Sequence, residues 1–441
     1  MTLDSFLAAS TGSIYTLVVF IIAISVIVAI HEFGHYIVGR WCGIHAEVFS
    51  IGFGKVLVSR VDKRGTRWQI AALPFGGYVK FLGDANAASV GGTDRVEGFS
   101  ERNTMLGAPL WARALTVLAG PVANFILAIA IFAGYLMYEG QASDDLVVER
   151  LLPLPEALES DLRPGDQILA IGPVVMGQEG GSLDDLPRQP VHDYRILRDG
   201  DEMIVKGPTP VVPRVSALQP RSAADDAGLR VGDVITAIDG TPIHAFRDIV
   251  DAVQSRQGAP LALTIWRDGE VIEAEMTPRR TDEPQGDGTF ATHWRIGIIG
   301  ELFFTAATEP LGPWDAVKAG TDRLWFTITT SLSAMYHIVA GEISTCNLSG
   351  PVGIAQASAS MASQGAQSYV LFLGMISAAV GLLNLLPIPI LDGGHLVFHA
   401  YEAITRRKPS DRVLQVVMAS GLAIILTFTL FALLNDVILC P

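Results

Sequence analysis

Two histidines and a glutamate sit together in "AIHEFGHYIVG", residues 29–39. In a helix, residues four apart project from one face about one turn apart, so His31 and His35 can chelate a single metal ion. Glu32, one residue along, is close enough to act on a water held by that metal. This is the H-E-x-x-H spacing, in which two imidazoles bind a dication and the carboxylate is the general base for hydrolysis. In a chain with 9 His and 45 acidic residues, a chance match is on the order of one in a hundred. The spacing alone is therefore suggestive rather than decisive.

The position of the trio adds weight. No charged residue occurs from Ser5 to Ile30, and an ionisable group inside a membrane span costs about 2.5–3.5 kcal/mol. Three such groups within five residues need a compensating partner, and a bound dication is the simplest. Two other assignments fit the same residues: a proton-relay helix of a transporter, and a span that ends early and leaves the trio in the interface. Catalytic zinc usually takes three protein ligands and keeps a fourth position for water. The strong third candidate is Asp392, in "GLLNLLPIPILDGGH", residues 381–395, which closes a run free of Asp, Glu, Lys and Arg since Glu342. Pro387 and Pro389 remove backbone donors and Asn384 adds a side-chain amide. Irregular backbone is tolerated at membrane depth only where it is buried in protein or lines a wet cavity. Taken alone, this stretch also reads as a kinked helix with a turn at Asp-Gly-Gly.

The elements that must position these residues follow from the apolar runs. The chain has 441 residues, is 50% apolar and carries a net charge of −14, which is long enough for several domains and unlike a simple soluble acidic protein. Four segments, 14–38, 114–138, 370–391 and 413–435, each offer about 20 or more nearly uncharged residues, enough to cross roughly 30 Å of hydrocarbon. The first is read as a retained helix, because residues 1–13 lack the basic start of a secretory signal. None of the 31 Lys and Arg precedes Arg40 or follows Arg412. Segments 40–113 and 406–412 are net positive and 139–369 is net negative, which places the first two in the cytoplasm. The termini and 139–369 are then outside, which is the periplasm if the membrane is a bacterial inner membrane. Leu324–Gly341 is also uncharged, but a fifth span there would put Arg406–Arg412 on the wrong side. Residues 309–345 are read instead as an amphipathic helix on the outer membrane face. Cys42, Cys346 and Cys440 form no close pair, so no disulfide framework is expected.

Two further regions have their own patterns. Residues 46–83 are rich in β-branched and aromatic residues around a polar turn "VDKRG", and read as a β-hairpin or small sheet on the cytoplasmic side, for which an ordinary cytoplasmic hairpin is one use. An exposed edge of it can hold an unwound substrate as an added strand, with Gly76 and Gly77 letting the backbone approach. Between spans two and three, "DLRPGDQILAIG" at 161–172 and "GLRVGDVITAIDG" at 228–240 form an internal repeat. Both resemble PDZ modules, which assigns 140–209 and 210–280 to two tandem domains. Peptide capture, exclusion of bulky substrates and simple packing are all open uses for them.

The pairing of "HEFGH" with "NLLPIPILDGG", supported by "AGPVANF" at 119–125 and "PFGGYVKFLGD" at 74–84, resembles the site-2 protease family of intramembrane zinc metalloproteases. The bacterial branch that cleaves anti-sigma factors is most similar. The resemblance implies Zn2+ held by His31, His35 and Asp392, with Glu32 as catalytic base, Asn384 and Pro387 bordering the substrate, and residues 46–83 as a membrane-associated β region that holds it. It further implies a single-span protein substrate such as an anti-sigma factor or a signal-peptide remnant, an upstream site-1-type protease that trims it first, and no nucleic-acid partner. A membrane scaffold with an idle metal motif and a metal or proton transporter are the competing functions. Glu32 discriminates among them, because only hydrolysis needs a base beside two ligands.

Overall fold

The structure, a computed structural model, describes residues 3–83, 100–143, 145–177, 182–285 and 289–439. Asp84 and Cys440, both singled out above, lie outside these residues. Helix α1 (Leu3–Trp41) leads into strands β1 (Ala46–Val61) and β2 (Arg67–Phe81), followed by helix α2 (Leu110–Glu139). β1 and β2 make more than a simple hairpin. Phe49 pairs with both Trp68 and Val79, so residues 46–51 are flanked by β2 on both sides. The bend needed for this falls at Gly52, whose φ is +89° and which has backbone carbonyls of Leu73 and Ala71 against it. At the turn between the strands, Asp62 accepts from the backbone N–H groups of Arg64 and Thr66 and from Trp68 Nε1. One end of the sheet packs Phe49 and Trp68 onto Tyr36 of α1. The other end leaves Val56, Leu57, Val58 and Leu73 uncovered.

Residues 141–309 form two β-rich modules, each with its own core. The first has a four-stranded sheet in the order Val174–Val175, Gln167–Ile171, Val191–Arg198, Asp201–Pro208. Its core, around Tyr194 and Ile196, also takes in Val212, Phe303 and Phe304. The chain thus returns after the second module to finish the first, and Phe304–Ala306 pairs with Val148–Leu151. The second module carries the short helix α3 (Ala223–Asp226) and the helix α4 (Phe246–Arg256), whose Ile249 and Val253 face a core of Val215, Ile235, Leu263 and Ile265. The repeated Gly-Asp turn has one physical role in both. Arg198 Nε meets Asp166 Oδ1 at 2.7 Å, and Arg267 Nε meets Asp233 Oδ1 at 2.7 Å. Backbone N–H groups of Arg163 and Arg230 supply the remaining donors at 2.7 and 2.8 Å.

The chain continues through α5 (Pro313–Ala340), α6 (Pro351–Ser363), α7 (Ala366–Leu385), α8 (Asp392–Thr405) and α9 (Asp411–Leu434) to a π-turn at Asn435–Leu439. Among the described residues four helices are long and apolar enough to cross a membrane: Ser13–Trp41, Leu110–Glu139, Ala366–Leu385 and Arg412–Leu439. Three differences from the sequence reading have clear causes. The third apolar run does not stay helical to 391. It ends at Leu385, because Pro387 and Pro389 cannot supply the next N–H groups, and Asp392 opens α8 instead of closing α7. Helix α5 does not rest on a surface alone: Gly320 approaches the backbone of Ile129 and Ala133, and Leu324 joins Ala128, Phe132 and Ala378 in one cluster. The cysteine spacing offers no disulfide framework to argue from, yet Cys346 is disulfide-bonded while Cys42 is free. Sequence spacing hid this. Asn435 Nδ2 donates to the carbonyls of Thr345 and Leu348 at 2.9 and 3.0 Å, which folds the C-terminal turn back onto the neighbourhood of Cys346.

Candidate metal centre

His31 and His35 lie one turn apart on α1, and α8 begins where its first side chain faces them. His31 Nε2 is 3.1 Å from Asp392 Oδ2, His35 Nε2 is 3.4 Å from the same oxygen, and the two Nε2 atoms are 3.1 Å apart. The structure thus brings together three residues, one of them 357 positions from its nearest partner, that the sequence offers as ligands. Asp392 Oδ2 is buried and has no hydrogen-bond partner among the described residues. Three lone-pair atoms turned on one another at van der Waals contact or closer repel unless a proton or cation lies among them. Tetrahedral ligands about 2.0–2.1 Å from zinc are separated from each other by roughly 3.3 Å. The observed triangle has that size, and two imidazoles with a carboxylate are a donor set zinc accepts.

The segment before Asp392 explains how α8 reaches the site. A side chain at Gly393 would overlap the carbonyls of Leu385 and Leu386, and one at Gly394 the backbone of Ile388 and Pro389. The two glycines let α8 start directly upon the turn that ends α7. That turn is closed by Ile388 N–H to Leu386 O at 2.7 Å and Leu391 N–H to Ile388 O at 2.9 Å.

Helix α2 forms the back of the site. His35 Nδ1–H donates to the Thr116 carbonyl at 2.8 Å, leaving Nε2 as the lone-pair nitrogen that faces Asp392. His31 Nδ1 meets the Asn124 amide at 3.3 Å. Gly120, between them on α2, has both imidazoles against its α-carbon, and any side chain there would overlap His35 Nε2. The sequence reading missed Thr116 and Asn124 as contacts of the site. The visible signal was an amide inside an otherwise apolar helix.

Glu32 is half-buried beside the triad and accepts from Val79 N–H of β2 at 3.0 Å. Val79 pairs with Phe49 on its other side, so this N–H belongs to the free edge of β2. Gly77 on the same edge has Glu32 Cγ, Val28 and Ser50 O within the reach of a side chain. Gly76, at φ +144°, packs instead on the ring of Phe53. Asn384 donates to Val380 O in its own helix at 3.0 Å, and Pro387 is exposed. Neither of these two is hydrogen-bonded to the triad.

The chain matches the family model for peptidase family M50 over residues 19–428. A protein of Agrobacterium fabrum described as a candidate zinc metalloprotease is 36% identical over 437 residues, with 97% of each chain covered. The regulator of sigma-E protease RseP of Salmonella typhimurium is 32% identical over 454 residues, covering 96% of this chain and 98% of that one. A solved PDZ domain of an SdrC-like protein from Listeria monocytogenes is 22% identical over 21% of this chain and 86% of its own, with a TM-score of 0.17, too slight to carry an argument. With the family model spanning nearly the whole sequence and relatives similar end to end, the chain belongs to peptidase family M50.

Proposed function

We propose that this peptidase is a zinc endopeptidase that cuts single-span membrane proteins within the bilayer, with His31, His35 and Asp392 holding Zn2+ and Glu32 as catalytic base. The observation that carries the reading is the triangle of two Nε2 atoms and one Oδ2, 3.1–3.4 Å on a side, largely shielded between apolar helices. When bound, zinc supplies a Lewis acid that makes water reactive and polarises a carbonyl at neutral pH. Glu32 takes the proton from the attacking water and returns it to the departing amide nitrogen. The Val79 N–H orients one carboxylate oxygen of Glu32 and leaves the other for proton transfer.

A helical substrate hides its carbonyls in internal hydrogen bonds and must be unwound before attack. The free edge of residues 77–81 runs beside Glu32, where an extended segment adds as a further strand and its scissile carbonyl lies next to the metal. Gly77 lets a backbone approach that edge, Gly76 beside it turns against Phe53, and Asn384 and Pro387 border the opened segment from the α7 side. The apolar end of the sheet at Val56–Val58 lies in the lipid of the cytoplasmic leaflet.

Sidedness follows the charge distribution: both termini and the two β modules face the periplasm of a bacterial inner membrane, and the metal lies toward the cytoplasmic side. The modules are read as tandem PDZ domains above the entrance. They capture a trimmed substrate end or exclude substrates whose outer domain is still large, which makes cleavage the second step after an upstream protease. An anti-sigma factor is the substrate type favoured by the similarity to regulators of sigma-E.

The test compares purified wild type with Glu32→Gln for bound zinc and for cleavage of a model transmembrane peptide. Zinc is expected in both and product only from wild type. Cleavage by the variant would defeat the assignment of the base, and metal-free wild type would defeat the centre.

A further inference from the structure

We infer that Asn124 is a positioning residue for the metal centre: its side-chain amide fixes the ring of His31 so that Nε2 faces His35 and Asp392. The inference rests on the reading of the triad as a metal site. His31 Nε2 is the nitrogen that approaches both His35 Nε2 and Asp392 Oδ2 at 3.1 Å. To donate a lone pair there, the neutral ring must carry its proton on Nδ1, and that proton needs an acceptor. Water is scarce at this point, since His31 is 8% exposed and Asn124 fully buried. For His35 the acceptor is the main-chain carbonyl of Thr116, which no substitution removes. For His31 it is a side chain.

Asn124 lies 3.3 Å from His31 Nδ1, and its Oδ1 is buried with no hydrogen-bond partner among the described residues. The two ends of an amide are alike in size, so a half-turn about the last side-chain bond sets Oδ1 on the imidazole N–H without repacking. The lone oxygen gains a donor and the imidazole proton gains an acceptor. The backbone around the amide is already held, because Ser377 Oγ on α7 donates to the Asn124 carbonyl at 2.9 Å. Partners of this kind fix the tautomer and ring orientation of a metal-bound histidine, and their loss weakens metal binding by about 10–100-fold.

The experiment measures zinc affinity of the full chain in detergent by competition with a chelator, and the visible spectrum of the Co2+-loaded protein as a report on ligand geometry. Asn124→Leu keeps the volume and removes the acceptor, whereas Asn124→Asp keeps the acceptor. Asn124→Leu is expected to bind zinc about 10–100-fold more weakly, with an altered Co2+ spectrum, and Asn124→Asp to match wild type in both. A residue that only packs α2 against α1 gives the reverse order, because a buried carboxylate disturbs packing more than a leucine. Wild-type affinity in Asn124→Leu, or weaker binding in Asn124→Asp than in Asn124→Leu, overturns the inference while leaving the centre intact. If Asn124→Leu does not fold, Asn124→Asp decides alone: retained affinity supports the role and a tenfold loss refutes it. Absence of metal from wild type removes both the centre and the inference.

Discussion

Aspartates of two kinds occupy opposite situations in this molecule. Asp166 and Asp233, in the two β modules, are 1% exposed and have their oxygens filled by an arginine fork and a backbone N–H. Asp392 is half-buried against two imidazole nitrogens, and its buried Oδ2 has no hydrogen-bond partner among the described residues. A carboxylate whose lone pairs are all met by its own chain is a fastening, and it contributes to folding. One whose lone pairs face other acceptors is incomplete without something from outside, and folding must be driven by the packing around it. The comparison predicts that mutations at the two kinds of site have separable effects.

The largest effect is expected at the incomplete site. Asp392→Asn should lower zinc affinity by more than about 100-fold, beyond the loss typical of a residue that only supports a ligand, and should abolish peptide cleavage. Its thermal unfolding without metal should match wild type, as followed by circular dichroism. The complementary change, Asp233→Ala, leaves the half-buried Arg267 and the Arg230 N–H without their partner and should cost the second module about 3 kcal/mol. Denaturant melts and limited proteolysis would register this, with zinc content unchanged. Loss of zinc from a folded Asp233→Ala protein would break the contrast.

A smaller effect is expected where packing holds the site open. Gly120→Ala pushes a methyl group into the imidazole pair, a close-packing penalty of about 1–3 kcal/mol. Because the rings can yield only by turning away from Asp392, that penalty should show as weaker zinc binding in chelator competition more than as a lower melting temperature.

The smallest effect concerns pH. Burial alone would raise the Asp166 carboxyl, but hydrogen bonds from Arg198 and from the Arg163 N–H, with the charge of Arg198, outweigh it and hold the group below the usual carboxylate range. A depressed folded value means the contribution is complete above the unfolded value of about 3.9 and is lost as pH falls through the folded one. The first module should therefore lose stability only below about pH 4. Asp166→Asn should remove that part of the acid dependence from melts recorded across this range, and an unchanged acid limb would show that other carboxylates govern it.

Much of the metal centre was legible because it depends on local spacing and on charge in the wrong solvent. His31, Glu32 and His35 stand out by period, and Asp392 by ending a long uncharged run. Asn124 was not legible in the same way: a single amide in an apolar helix does not say which ring it will meet. The end of α7 was misplaced because Pro387 and Pro389 count as apolar residues in a span, although their missing N–H groups stop the helix. The return of Phe303 and Phe304 to the first module, and the bonding of Cys346, depend on chain reversals that no local pattern records. The Gly-Asp repeat was visible as a motif, but its partners Arg198 and Arg267 stand on the neighbouring strand, 32 and 34 residues later in the chain.

Asp436 sits in the π-turn that follows α9, fully enclosed. Its carboxylate accepts from the backbone N–H groups of Gly350 and Gly353, where α6 begins, at 3.0 and 2.8 Å, and from Arg221 of the second module at 3.0 Å. Nearby, Gln364 at the far end of α6 reads both the N–H and the carbonyl of Leu218, each at 3.0 Å, as a neighbouring strand would. One small anion therefore serves as the rivet through three plates. Because enclosed charges feel little screening from salt, the joint keeps its grip at any ordinary ionic strength. A tilt of the module would then load α6 and the last apolar helix directly.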